Sequence, residues 1–338
     1  MNANNTQPAD TQPADTRIVQ ETAARITEQV ARVIVGKETT VETLLIALFC
    51  EGHILLEDVP GIGKTTLAKT LARTLNCSFN RLQFTPDLLP SDITGVNIFN
   101  QKVDDFEFRA GPIMVQLLLA DEINRAGPRT QSALLEAMEE RQTTVDGVTY
   151  KLPYPFLVLA TQNPIELEGT FPLPEAQVDR FLMKLRMGYP TRDEERQILR
   201  RFYATSPLND LEPVVNTEEL KAACAVCRQV YLHPAVEDYL LDIAAASRVH
   251  PELELGISPR GTLALYRTCQ ARAAIQGRSY VTPDDVQALA EPVLGHRLVL
   301  SADARLHGQT VDGVLQSLLD SVAVPVEEVW SSNNGRAR

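Results

Sequence analysis

The stretch from Gly52 to Thr66 constrains this chain more than any other. An apolar run, Ile54-Leu55-Leu56, breaks into Asp58-Val59-Pro60-Gly61-Ile62-Gly63-Lys64-Thr65 and then into Thr66-Leu67-Ala68-Lys69-Thr70-Leu71-Ala72-Arg73, which is apolar at helical spacing. Strand, glycine-rich loop and helix, in that order, form the context of a phosphate-binding P-loop. Glycines let successive backbone N–H groups turn inward around a phosphate, and the new helix adds the positive end of its dipole. On this reading Pro60, Gly61, Ile62, Gly63, Lys64, Thr65 and Thr66 cradle a nucleotide. Lys64 reaches the β- and γ-phosphates, and the Thr65 hydroxyl binds Mg2+. One position departs from the pattern, because the first glycine of G-x-x-x-x-G-K-[ST] falls on Asp58. Aspartate tolerates unusual backbone angles better than most residues, so the turn is expected to survive. The bland alternative is a Gly-Pro connection between a strand and a helix.

Two more strands are expected to end in polar residues. Residues 115–122 end in Leu117-Leu118-Leu119-Ala120-Asp121-Glu122, an apolar run of the kind buried on both faces in a parallel sheet. Open α/β sheets bind ligands beyond the carboxyl ends of their strands, where this run places two adjacent carboxylates. Asp121 would hold Mg2+ through its water shell, and Glu122 would polarise the attacking water. Phe156 to Asn163 is a third buried-type strand, and the Asn163 amide would orient that water or sense the γ-phosphate; as a plain alternative it opens the turn before Pro164. Between these strands lie the irregular segment 85–112, with Phe99, Phe106 and Phe108 as exposed aromatics, and an Asp146-Gly147 hairpin.

The 338 residues suggest two domains. Tyr189-Pro190 marks the boundary, and Thr191-Arg192-Asp193-Glu194 is a capping box opening a run of helices at about 192–203, 217–230, 233–249, 259–277 and 282–294. Ser258-Pro259 is an N-cap followed by proline, which puts Arg260 in the first turn of a helix. An arginine there opposes the helix dipole and hints at an anionic partner, with a solvated arginine as its plain alternative. Arg180, after the short helix expected from Pro174, has a neighbouring carboxylate as its plain alternative. The repeated Thr-Gln-Pro-Ala-Asp at 6–10 and 11–15 is too polar to order itself, so residues 1–16 are expected to form a disordered tail. From Arg17, the residues Ile18, Ala23, Ile26, Val30 and Val33 line one face of a helix.

A formal net charge of −12 argues against general affinity for nucleic acid. No apolar run approaches a membrane span, and the polar N-terminus does not read as a signal peptide. The five cysteines are scattered and odd in number. Cys224 and Cys227 read as core packing rather than a metal or redox pair. The expected location is cytoplasmic.

Together these motifs resemble the AAA+ ATPases, and within them the MoxR family, from about residue 18 onward. The most specific strings are 83–95 (Gln83-Phe-Thr-Pro-Asp-Leu-Leu-Pro-Ser-Asp-Ile-Thr-Gly95), 118–126, 131–141 and 174–181. The resemblance implies an α/β fold: a three-layer α/β/α P-loop NTPase domain with a parallel central sheet over residues 17–189, followed by an all-helical lid over 190–330 and a flexible tail at 331–338. It implies ATP and Mg2+ as ligands. Gly61 to Thr66 match Walker A, Asp121 with Glu122 Walker B, Asn163 sensor 1, Arg180 the arginine finger and Arg260 sensor 2. An arginine finger acts in trans, which implies a homo-oligomeric ring, a hexamer in this family. The insertions near 92–109 and 142–152 resemble elements that face the pore or the client. Proteins of this family are thought to be chaperone-like, remodelling partners that carry a von Willebrand factor A domain. Alternative readings are a magnesium-chelatase-like ATPase subunit, a nucleic-acid motor and a nucleotide-gated scaffold with little turnover.

Overall fold

The computed structural model describes residues 14–102, 104–163, 169–203 and 207–326. Most of both expected tails therefore lies outside the described residues. The chain opens with α1 (Arg17–Ala31) and α2 (Glu38–Phe49), then β1 (Ile54–Glu57), α3 (Lys64–Thr74), β2 (Phe79–Gln83) and the short α4 (Pro90–Thr94). A hairpin, β3 (Gly95–Asn100) and β4 (Asp105–Ala110), precedes β5 (Leu117–Asp121) and α5 (Pro128–Glu140). A second hairpin, β6 (Gln142–Val145) and β7 (Val148–Lys151), leads to β8 (Leu157–Gln162), α6 (Glu175–Val178) and β9 (Met183–Leu185).

Five of these strands form one parallel sheet in the order β2-β5-β8-β1-β9. Side chains alternate across a strand, and here each central strand feeds two cores. Ile54, Leu56, Leu117, Leu119, Leu157 and Leu159 pack on the face covered by α1, α2 and α3. Leu55, Leu118, Ala120, Val158 and Ala160 pack on the opposite face with Leu134, Leu135 and Met138 of α5. Continuous apolar runs suit these strands because both faces are covered. The result is the three-layer arrangement expected.

In α1 the buried stripe is Val19, Thr22, Ala23, Ile26 and Val30. Periodicity puts Ile18 on that face, but it is 36% exposed. A helix beginning at Arg17 turns Ile18 about 100° away from the stripe, and Val19 takes its place. The two hairpins dock on each other: Phe108 stacks on Tyr150 at 3.9 Å, and Asn97 donates to Asp146. Phe99 and Phe106 remain 51% and 68% exposed, packed edge to face.

The rest of the chain is α7 (Arg192–Arg201), α8 (Thr217–Cys227), α9 (Pro234–Val249), β10 (Leu253–Leu255), α10 (Pro259–Ile275), α11 (Pro283–Leu294), β11 (Val299–Leu300), α12 (Ala302–Leu306) and α13 (Val311–Ser321). It is a helical lid except for the two-stranded ribbon β10–β11, which local helix periodicity does not anticipate. The capping box at Thr191 and Glu194 forms as expected, and Ser258 accepts the Gly261 N–H. The lid shares its core with the sheet domain: residues of α8, α10 and α11 pack in one cluster with α1 and α2. Cys224 and Cys227 are buried there, and burial pushes the Cys224 thiol up to about 11. Among the described residues no helix is long and apolar enough to cross a membrane.

Candidate functional site

The order β5-β8-β1 brings the P-loop and the Asp121-Glu122 pair to the same end of the sheet, one strand apart. Beyond Glu57, Gly61 and Gly63 adopt φ of +86° and +96°. No atom crowds a Cβ at either position, so the need for glycine is conformational. Gly63 caps α3, and Lys64, Thr65 and Thr66 form its first turn. Pro60 and Gly61 are exposed at the loop's tip, with Ile62 half-buried behind them.

Asp58 is accepted here for a reason other than the one expected. It has no positive φ. Its carboxylate is buried and accepts the N–H groups of Met187 and Gly188, the latter at 3.1 Å, where the chain leaves β9. Its carbonyl accepts the Lys64 ammonium at 2.8 Å. Asp58 thus ties the start of the P-loop to the edge of the sheet. Burial pulls the Lys64 ammonium below its ordinary range, opposed by the carboxylates of Asp121, Asp58 and Glu122.

Thr161 of β8 joins the two acidic residues. Its hydroxyl donates to Asp121 Oδ1 at 2.6 Å and accepts the Glu122 N–H at 2.8 Å. Glu122 stands at φ +57°, a left-handed conformation that glutamate rarely adopts and that is held by that bond. From β2, Arg81 donates to Asp121 Oδ2 through Nε at 3.0 Å and a terminal nitrogen at 2.6 Å. Gln83 donates to Glu122 Oε2 at 2.7 Å, and Arg125 pairs with the same oxygen at 3.0 Å. Asn163 is buried immediately beyond β8, between the P-loop strand and β5.

The donor set fits a magnesium nucleotide. Thr65 and Asp121 offer the hard oxygens that Mg2+ prefers. Among the described residues no cluster of three or more His, Cys, Asp or Glu side chains could hold a metal. A cation at this place would therefore complete its shell with phosphate oxygens and water, as Mg2+ does beside nucleotides.

Arg180 and Arg260 lie at the other end of the sheet. Arg180 precedes β9, and the Leu182 N–H donates to His53 O just ahead of β1. Glu139 Oε2 takes Arg180 Nε at 3.3 Å, and Glu139 Oε1 takes a terminal nitrogen of Arg260 at 3.2 Å. Glu139 follows Met138, whose carbonyl bonds His53 at the amino ends of β1 and β8. β1 and β8 run four and six residues, or about 13–20 Å, from this end to the P-loop. Neither arginine meets the P-loop of its own chain.

Arg81, Gln83, Thr161 and Glu139 belong to these sites although no local rule gives any of them a role, even where Gln83 and Glu139 lie within the family-like strings 83–95 and 131–141. Alternation along β2 places Arg81 and Gln83 on one face, a signal that the sequence carries. It does not carry the fact that β2 lies beside β5.

The family model described as "ATPase family associated with various cellular activities (AAA)" matches residues 53–183, and the AAA lid domain model matches 245–318. The uncharacterized protein YeaC of Bacillus subtilis is 49% identical over 89% of this chain and 94% of its own length. Chaperone MoxR1 of Mycobacterium tuberculosis is 42% identical over 90% and 82%. The crystal structure of a candidate ATPase from Cytophaga hutchinsonii superposes with a TM-score of 0.87 at 37% identity, covering 92% of this chain and 97% of that one. Likeness to magnesium-chelatase subunits is more distant, 28% over 61% of the chain for the 38 kDa subunit of Chlorobaculum parvum.

Proposed function

Because the chain belongs to the MoxR family of AAA+ ATPases, we propose that it hydrolyses ATP at the Gly61–Thr66 loop and uses the energy as a chaperone-like remodeller of partner proteins. The observation that carries this is the placement of Lys64 within the field of Asp121 and Glu122, which Thr161 joins at one end of the sheet, with Arg180 and Arg260 bridged by Glu139 at the other. Lys64 and the loop N–H groups bind and orient the β- and γ-phosphates. Thr65 and Asp121 would hold Mg2+, which would supply neutralisation of the charge on the phosphate oxygens. Glu122 accepts hydrogen bonds from Gln83 and Arg125 and, once turned toward the attacking water, serves as its base. Asn163 positions that water or reads the γ-phosphate.

A distance of about 13–20 Å along the strands keeps Arg180 and Arg260 from their own nucleotide. Their proposed role is to reach the phosphates of a neighbouring copy, so that each site is completed across a subunit boundary. This supports a homo-oligomeric ring; the family resemblance implies that it is hexameric and that its clients carry a von Willebrand factor A domain, and the cytoplasm is its proposed location. The net charge of −12 makes nucleic acid a poor substrate.

Phosphate release measured on Glu122→Gln tests the assignment. ATP binding is expected to persist while turnover falls at least about 100-fold; unchanged hydrolysis would remove Glu122 from the role of base. A turnover rate raised by DNA would revive the nucleic-acid motor. A pull-down with the same variant and ATP should retain the client, and recovery of proteins without a von Willebrand factor A domain would redirect the client assignment.

A further inference from the structure

Arg180 and Arg260 come from different domains, yet they share one carboxylate. Asp179, next to Arg180, pairs with Arg297 at 2.7 Å and accepts the Ser258 hydroxyl at 3.5 Å, two residues before Arg260. This clamp holds the first turn of α10 against the chain entering β9. Gly261 allows it, since a Cβ there would stand 2.9 Å from Arg297 Cδ. Glu139, in the last turn of α5, then bridges the two guanidinium groups, one carboxylate oxygen to each.

The bridge adds little to holding the lid in place. Its side chains are 39% exposed for Glu139, 31% for Arg180 and 44% for Arg260, and exposed ion pairs contribute little to stability. The buried Arg297 and the shared hydrophobic core carry that task. What Glu139 changes is the direction of the arginines. Two like charges side by side repel, and a carboxylate between them offsets that repulsion and fixes both planes. Arg180 is engaged through Nε and Arg260 through a single terminal nitrogen. A guanidinium carries five N–H donors, so each keeps most of its fork for another anion.

We propose that Glu139 is a positioning residue, bracketing Arg180 and Arg260 so that their remaining donors face the phosphates bound by a neighbouring copy. This rests on the reading that both arginines act in trans. Glu139 lies at the opposite end of the sheet from the P-loop of its own chain and acts through the two arginines. Its loss therefore lowers turnover and leaves the P-loop of the same chain able to bind ATP.

Complementation between full-length variants, with assembly followed by sedimentation, provides the test. Glu139→Gln should lose about tenfold or more in kcat, with the KM for ATP changed less than about twofold. Glu139→Asp, which keeps the charge, should recover part of the loss, and both variants should melt with the parent. Lys64→Ala has a disabled P-loop but intact arginines. Mixed with Glu139→Gln it should regain activity above the sum of the two alone, because Lys64→Ala subunits lend their arginines to intact neighbouring loops. Unchanged kcat in Glu139→Gln overturns the proposal. So does failure of that mixture while Arg180→Ala mixed with Lys64→Ala succeeds, and there the trans reading survives. If the Arg180→Ala mixture fails as well, the trans reading falls and this proposal falls with it.

Discussion

Replacing Asp58 with glycine would complete the usual P-loop spacing, yet the geometry predicts a weaker protein. The Asp58 side chain is 8% exposed, and its carboxylate accepts two backbone N–H groups, those of Met187 and Gly188. Met187 is itself 6% exposed, so water cannot readily replace the lost acceptor. Hydrogen bonds to charged groups contribute about 1.5–3 kcal/mol each, and a buried donor left unmade costs its desolvation. Glycine adds about 0.5–1 kcal/mol of backbone entropy. Allowing for water at the half-buried Gly188, Asp58→Gly should cost about 3–5 kcal/mol. For a domain of this size each kcal/mol lowers the midpoint by about 2–4 °C, so the thermal transition should fall by roughly 6–20 °C. Urea unfolding followed by circular dichroism, with the m-value compared between variants, gives the free energy directly. A glycine variant within about 1 kcal/mol of the parent would refute the tether, and the aspartate would then need another explanation.

His53 accepts the Val158 N–H through Nδ1 and donates to Met138 O through Nε2, and burial pulls it down from 6.5 to about 4. The folded state resists its protonation while the unfolded chain does not, so its stabilisation is complete above pH 6.5 and is lost as pH falls toward 4. That amounts to about 3 kcal/mol, and the pH slope of urea stability over this window should flatten in His53→Gln. Asp285 is fully buried, takes Arg272 at 2.5 Å and Arg278 at 2.7 Å, and accepts the Thr282 N–H. Asp285→Ala leaves two arginines uncompensated and should cost about 3–5 kcal/mol by the same urea measurement. Gly261→Ala forces Arg297 to shift and should cost about 1–3 kcal/mol. It should also lower phosphate release through the displaced Arg260 while nucleotide affinity stays near that of the parent.

Local chemistry makes much of this protein legible in its sequence. The strand–loop–helix at 54–73, the apolar runs ending at Asp121 and Gln162, the Asp146-Gly147 turn and the caps at Thr191 and Ser258 each depend on residues close along the chain. Periodicity, turn preference and capping act over that range, and the elements form where those rules place them. The first turn of α1 shows the limit, since one residue of phase decides between Ile18 and Val19. Tertiary structure alone decides which elements become neighbours. Arg81 meets Asp121 across 40 residues, Asp58 meets Gly188 across 130, and Arg297 meets Asp179 across 118. Such pairs follow from strand order and helix docking, which are set by the burial of whole faces rather than by any local motif. For the same reason Arg180 and Arg260 stand out separately in the sequence, and only the packing of α10 against the chain entering β9 makes them a pair. The loop at 58–66 is readable residue by residue; that the two arginines stand at the far end of the sheet from it is a consequence of how the strands are ordered.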